Sequence, residues 1–168
     1  MSSLAPSPRG YWQGIDVKAA LLAGLLAGVV DLALLAASAW AQGDNVWVNM
    51  RMTAAILMGT GVLPPPATFD PLLFVVSAIV HFGLSLIYGL IVARFVRKSG
   101  WAVGLMIGVA VGFGIYLVNY YVFAPLLFPW LSVQRSGLVP TLIHPVFGLV
   151  AAAAYLKLRR VAPINSNE

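Results

Sequence analysis

The chain has 168 residues, of which 61% are hydrophobic and 9% charged, with a mean hydropathy of +0.92. Soluble domains carry about a quarter charged residues, so this composition excludes a water-soluble globule. The absence of cysteine excludes disulfides, thiolate catalysis and Cys-ligated zinc or iron–sulfur centres, and the net charge of +5 has to be placed along the chain before it is read as a footprint of nucleic acid.

In chain order, residues 1–14 read as a flexible tail, Ser/Pro-rich from Ser2 to Pro8. A transmembrane helix needs about 20 apolar residues, because roughly 30 Å of hydrocarbon is crossed at about 1.5 Å per residue. Four stretches meet this length: about 18–41, 72–97, 101–126 and 136–158. The first carries Asp31 and is longer than a signal-peptide core, so it is read as a retained span despite Ala39-Trp40-Ala41 at its end. Between the first two spans lies a loop whose apolar part, Met52 to Leu63, is too short to cross and reads as interfacial or re-entrant. Pro64-Pro65-Pro66 reads as a stiff polyproline connector into the second span. A short Ser99-Gly100 turn makes the second and third spans antiparallel neighbours, and Pro125 and Pro129 are expected to end the third.

With both termini cytoplasmic, Arg9, Lys18, Arg94, Arg97, Lys98, Lys157, Arg159 and Arg160 lie inside, and Arg51 and Arg135 outside. Eight against two is a positive-inside pattern. The net charge is therefore a topology signal, and nucleic acid is not an expected partner. Trp40, Trp47 and Trp130 suit an outer aromatic belt, Trp12 and Trp101 an inner one. The expected object is an all-α, single-domain, four-transmembrane-helix bundle over residues 1–168, in a bacterial inner membrane.

Association in lipid depends on close packing by small residues. Gly24 and Gly28, then Gly104, Gly108 and Gly112, and in the last span Gly148, provide it. Asp31 lies three and seven residues from the first pair, Asn119 seven and eleven after Gly112 and Gly108, and His144 four before Gly148. His81 lies four residues from Ser77 and from Ser85. Such spacings stack on one helix face, so Asp31, His81, Asn119 and His144 are expected to point inward and to form one polar layer in the outer half of the bilayer.

The string Arg51-Met-Thr-Ala-Ala-Ile-Leu-Met-Gly59, then Val62-Leu-Pro-Pro-Pro-Ala-Thr-Phe-Asp70, resembles uncharacterised bacterial multi-helix inner-membrane proteins. His81-Phe-Gly-Leu-Ser85 and His144-Pro-Val-Phe-Gly148 are similar to their helix motifs, over residues 45–157. The resemblance implies a membrane fold and carries no functional residue.

Three functions compete. In the first, the four polar residues hydrogen-bond to one another and fix helix register in a structural or accessory subunit that packs with its own copies or with a larger membrane complex. In the second, Asp31 and a histidine serve a proton-linked path for a small solute or ion. An ionised Asp at mid-helix costs about 2.5–3.5 kcal/mol on insertion scales, which a proton or an Asp31–histidine bond would offset. In the third, His81 and His144 ligate a metal or haem b, glycine stripes leave room for the porphyrin, and Arg51 and Arg135 pair with its propionates. No Walker loop, HExxH or GxSxG occurs, so an enzyme is not the expected class. Tyr116, Tyr120, Tyr121 and Trp130 gather at one end of the third span as interface anchors or as a lining for a ligand.

Overall fold

The computed structural model describes residues 14–134 and 137–160. Among these the chain is helical, with no strand. Helix α1 (Val17–Gln42) starts where the Asp16 carboxylate accepts the Ala19 N–H at 3.0 Å, a side-chain cap for one orphan donor of the first turn. It ends at Gly43, whose left-handed φ of 71° lets the following N–H of Asp44 reach the Ala39 carbonyl at 2.8 Å. Helix α2 (Val46–Met58) is capped by Asn45, and α3 (Pro71–Val96) by Asp70, with Pro71 preset for a first turn.

Helix α4 (Trp101–Val118) departs from expectation at its end. Pro125 does not break it. The backbone widens into a π turn, Asn119–Phe123, in which the Ala124 N–H bonds the Asn119 carbonyl, and continues as α5 (Ala124–Leu127). Proline at an ordinary helix position clashes with the carbonyl four residues back, and the wider turn supplies the space. A 3-10 turn, Pro129–Gln134, follows, and α6 (Leu138–Leu158) runs on through Pro145. The other span limits fall within two residues of those expected. The Leu63–Pro66 segment is bent, not an extended polyproline stretch.

Helices α1, α3, α4 with its extension to Leu127, and α6 are each long and apolar enough to cross a membrane; α2, at 13 residues, is not. Helix α6 packs against α4 and α1, α1 against α3, and α2 lies on α3 through Met50, Ala54 and Leu73. The central seam is built from small residues. Ala19, Ala20, Ala23 and Ala27 meet Ala151, Ala152, Phe147 and Tyr155. Leu26, Val29, Phe74, Ile79, Met106 and Leu142 face outward, apolar surface that water would penalise and lipid accepts.

One end of the bundle is tied by polar contacts. The Arg160 N–H donates to Asp16 at 3.1 Å, joining the start of α1 to the end of α6. The Arg159 guanidinium donates to the carbonyls of Val96, Arg97 and Ser99, satisfying the exit of α3. The start of α1, the α3–α4 turn and the end of α6 therefore share one end, together with Lys18, Arg94, Arg97, Lys98, Lys157, Arg159 and Arg160. Arg9, Trp12 and Arg135, also assigned to membrane surfaces from sequence, lie outside the described residues.

Candidate functional site

The four intramembrane polar residues are not one hydrogen-bonded layer. No bond joins any two of them among the described residues; they divide into two structural ties and two groups lining a cleft. His81 of α3 donates its Nε2–H to the Gly28 carbonyl of α1 at 2.9 Å, while Ser85 closes back onto His81 O at 2.7 Å. Asn119, the first residue of the π turn, accepts from the Tyr88 hydroxyl of α3 at 2.9 Å. Both bonds run between helices and fix their relative rotation.

Asp31 and His144 face a different place. A cavity of about 410 Å³ opens between α1, α2, the π turn and the start of α6. Gln42, Asp44, Asn49 and Gly137 stand around its loop end; Asp31, Tyr120 and His144 lie deeper. From Gln42 to Asp31 is eleven residues, or about 16 Å along a helix. No described residue donates a hydrogen bond to the Asp31 carboxylate, which shares the cavity lining with the Tyr120 phenol. His144 is gripped by its own helix, Nδ1–H donating to the Pro140 carbonyl at 2.9 Å. A neutral imidazole so held keeps its Nε2 lone pair. The Tyr120 and Tyr116 rings flank it with centroids 5.7 and 5.9 Å away.

Sequence spacing did not reveal Tyr120 as a companion of Asp31. Within α4, Tyr116 shares the face of Gly112 and lies buried; an unbroken α-helix would set Tyr120 one turn above it. Tyr120 keeps that place, its ring centroid 5.5 Å from that of Tyr116; what spacing does not record is that this face turns towards Asp31 and His144.

The glycines do not make room; they consume it. A Cβ on Gly24 would meet Ser85 O and Gly89, and one on Gly28 the Ser85 side chain. On the other seam, Gly108 and Gly112 press on Gly148 and on the His144 carbonyl, and Gly104 on Leu156. A porphyrin between these helices has no gap to enter. Each imidazole keeps one ring lone pair, but the two do not face a common space: His81 is tied into the α1–α3 contact at Gly28 O, and of the two only His144 lines the cavity. No cluster of three metal-ligating side chains occurs among the described residues. The residues do not fit a bis-histidine haem or a metal centre.

Arg51 also departs from expectation. It is 8% exposed, with Nε on Thr68 O at 3.2 Å, Nη1 on Val62 O at 3.4 Å and Nη2 on Thr68 Oγ1 at 3.4 Å. It fastens α2 to the connector before α3 rather than presenting charge at a surface. Of the aromatic belt, Trp40 is 85% exposed, whereas Trp47 rests on Phe69 and Trp130 donates its indole N–H to Met52 O at 3.1 Å.

Four apolar helices of spanning length with outward aliphatic faces are the traits of a multi-pass helical membrane protein. Beyond that class, comparison with known protein families, with curated proteins and with solved structures finds no match.

Proposed function

We propose that this is a protein of a bacterial cytoplasmic membrane, with its basic end inside, whose cleft admits a small protonatable solute or ion from outside. Asp31 and His144 exchange protons with it. The observation that carries this reading is the Asp31 carboxylate, with no hydrogen-bond donor among the described residues, lining a largely apolar cavity together with Tyr120 and His144. A charge at that depth is costly, so Asp31 holds either a proton or a cation, and exchanging one for the other is the simplest use of the site.

The test is flux in reconstituted vesicles. Asp31→Asn removes the ionisable group at nearly constant shape and is expected to abolish pH-dependent solute movement; unchanged flux would sink the assignment. His81→Leu is the counterpart. It removes the bond to Gly28 O and is expected to lower thermal stability by about 1 kcal/mol, the scale of hydrogen bonds between membrane helices, without changing the flux of the folded fraction.

A second reading rests on His81 and Asn119. Their interhelical bonds suit a structural or accessory subunit that packs with its own copies or with a larger membrane complex. Native mass measured in detergent tests it: a fully active monomer counts against association.

A further inference from the structure

We infer that the solute of the Asp31 cleft is an organic cation, an amine or quaternary ammonium with an apolar body. This rests on the proton-linked reading of the same cleft and adds the chemical class of its ligand. Three observations carry it.

The first is charge. The described lining holds two carboxylates, Asp44 towards the mouth and Asp31 deeper, and no Lys or Arg. Arg51, the basic residue of α2, is turned away onto Val62 and Thr68.

The second is hydrogen-bond polarity. Three neutral groups of the lining each spend a donor on the protein. Ser38 Oγ–H donates to Leu35 O at 2.8 Å, Gln42 Nε2 to Ser38 O at 3.0 Å and His144 Nδ1–H to Pro140 O at 2.9 Å. They leave acceptors for a ligand, namely the hydroxyl lone pairs, the Gln42 amide oxygen and His144 Nε2, beside two donors, the second Gln42 amide hydrogen and the Tyr120 hydroxyl. An ammonium finds partners among the acceptors, and the described lining holds no cationic group to pair an anion.

The third is size and texture. About 410 Å³ lies within the range of small-molecule pockets, and Leu35, Val139 and Ile143 supply an apolar wall beside the Tyr120 ring. An aromatic face near a carboxylate is a favourable seat for a desolvated cation.

The exchange is balanced in charge. The cation enters, the Asp31 proton leaves to water, and the carboxylate left behind is neutralised by the cation; release reverses both. The titratable groups that face this exchange are Asp31 and Asp44 on α1 and its exit, Tyr116 and Tyr120 on α4 and its π turn, and His144 on α6. Arg135 lies outside the described residues, so it enters the test as a variant.

The experiment is calorimetric titration of the full chain in detergent with benzyltrimethylammonium, its neutral isostere neopentylbenzene and the anion 3-phenylpropionate, with proton release followed in weak buffer. The cation is expected to bind at least about tenfold more tightly than either other probe, with affinity falling as pH is lowered and a proton released on binding. Asp31→Asn is expected to lose about tenfold or more and to release no proton. Tyr120→Leu is a second variant, independent of whether Asp31→Asn folds, and is expected to weaken the cation about three- to tenfold. Arg135→Gln should keep the order of the three probes.

Equal or tighter binding of the anion, or cation affinity unchanged in both Asp31→Asn and Tyr120→Leu, overturns the inference. The underlying reading fails separately. Asp31-dependent cation binding without proton release overturns proton linkage and leaves the cation assignment standing. Asp31-dependent proton uptake in vesicles without cation binding does the reverse.

Discussion

Asp16 shows how much a single side chain organises at the basic end. It caps α1 through the Ala19 N–H and receives the Arg160 N–H from α6, and these backbone donors hold its carboxyl below the ordinary value of 3.8, with the Arg160 charge a smaller aid. A carboxyl held low in the folded state stabilises above its unfolded pKa, and that contribution fades as pH falls through the folded value. Asp16→Ala is therefore expected to cost about 1 kcal/mol near pH 7, the scale of a lost N-cap. The gap between variant and wild-type melting temperatures should narrow once the pH drops below about 4; a gap independent of pH would refute the assignment. Asp16 stands before an apolar run, so its capping role can be read in the sequence by its place. Its link to Arg160, 144 residues away, cannot, because no local pattern records which helix ends meet.

For the helices, the spans were legible from length and hydropathy, since each is a long apolar run, interrupted by charge only in the first span, at Asp31. The stripes were legible too: spacings of three, four and seven put Gly24 with Gly28, and Gly104 with Gly108 and Gly112, on one face. What spacing does not contain is the partner. Gly108 and Gly112 meet Gly148 so closely that the backbones touch, whereas Gly114, on the same helix, faces open space. Gly148→Ala drives a Cβ into the Gly108 carbonyl and is expected to cost about 1–3 kcal/mol, as overpacking does. Gly114→Ala meets nothing and should leave thermal stability in detergent unchanged or slightly raised, because alanine is the better helix former. Equal losses in both would mean that α4 and α6 are not in contact through glycine. The π turn was the least legible element. Its cause is Pro125, which as a bare residue type predicts a stop, and only the packing of the helix beyond it decides that the chain widens instead.

Across the whole molecule, the charge pattern and the polar ties agree on which parts of the chain share an end. Lys98 and Thr60 are both exposed and sit in the turns at opposite ends of α3. The chain lacks cysteine, so single cysteines report cleanly. In intact spheroplasts Thr60→Cys is expected to react with a membrane-impermeant maleimide, and Lys98→Cys only after permeabilisation; the opposite result would invert the orientation proposed above. The division of the polar residues also belongs to this scale. Position along a helix placed Asp31, His81, Asn119 and His144 at similar depth, but depth leaves rotation and neighbours undetermined, and those separate a tie from a binding group.

The two seams end at about the same height. Gly28 against Ser85 and Gly112 against His144 each lie eleven residues, about 16 Å, from the basic end of their helix. Below that height lie the alanine seam and the Asp16 and Arg159 ties. If the cleft takes a solute as proposed above, it is a cul-de-sac, and what reaches Asp31 leaves by the same door while the seams stay shut. Crossing would require the seams themselves to part, and beside the glycines and alanines that means withdrawing Ser85, Leu156, Phe147 and Tyr155. On the reading proposed above, the slow step of a complete passage falls where the backbones touch, at Gly24 against Ser85 and at Gly108 against Gly148.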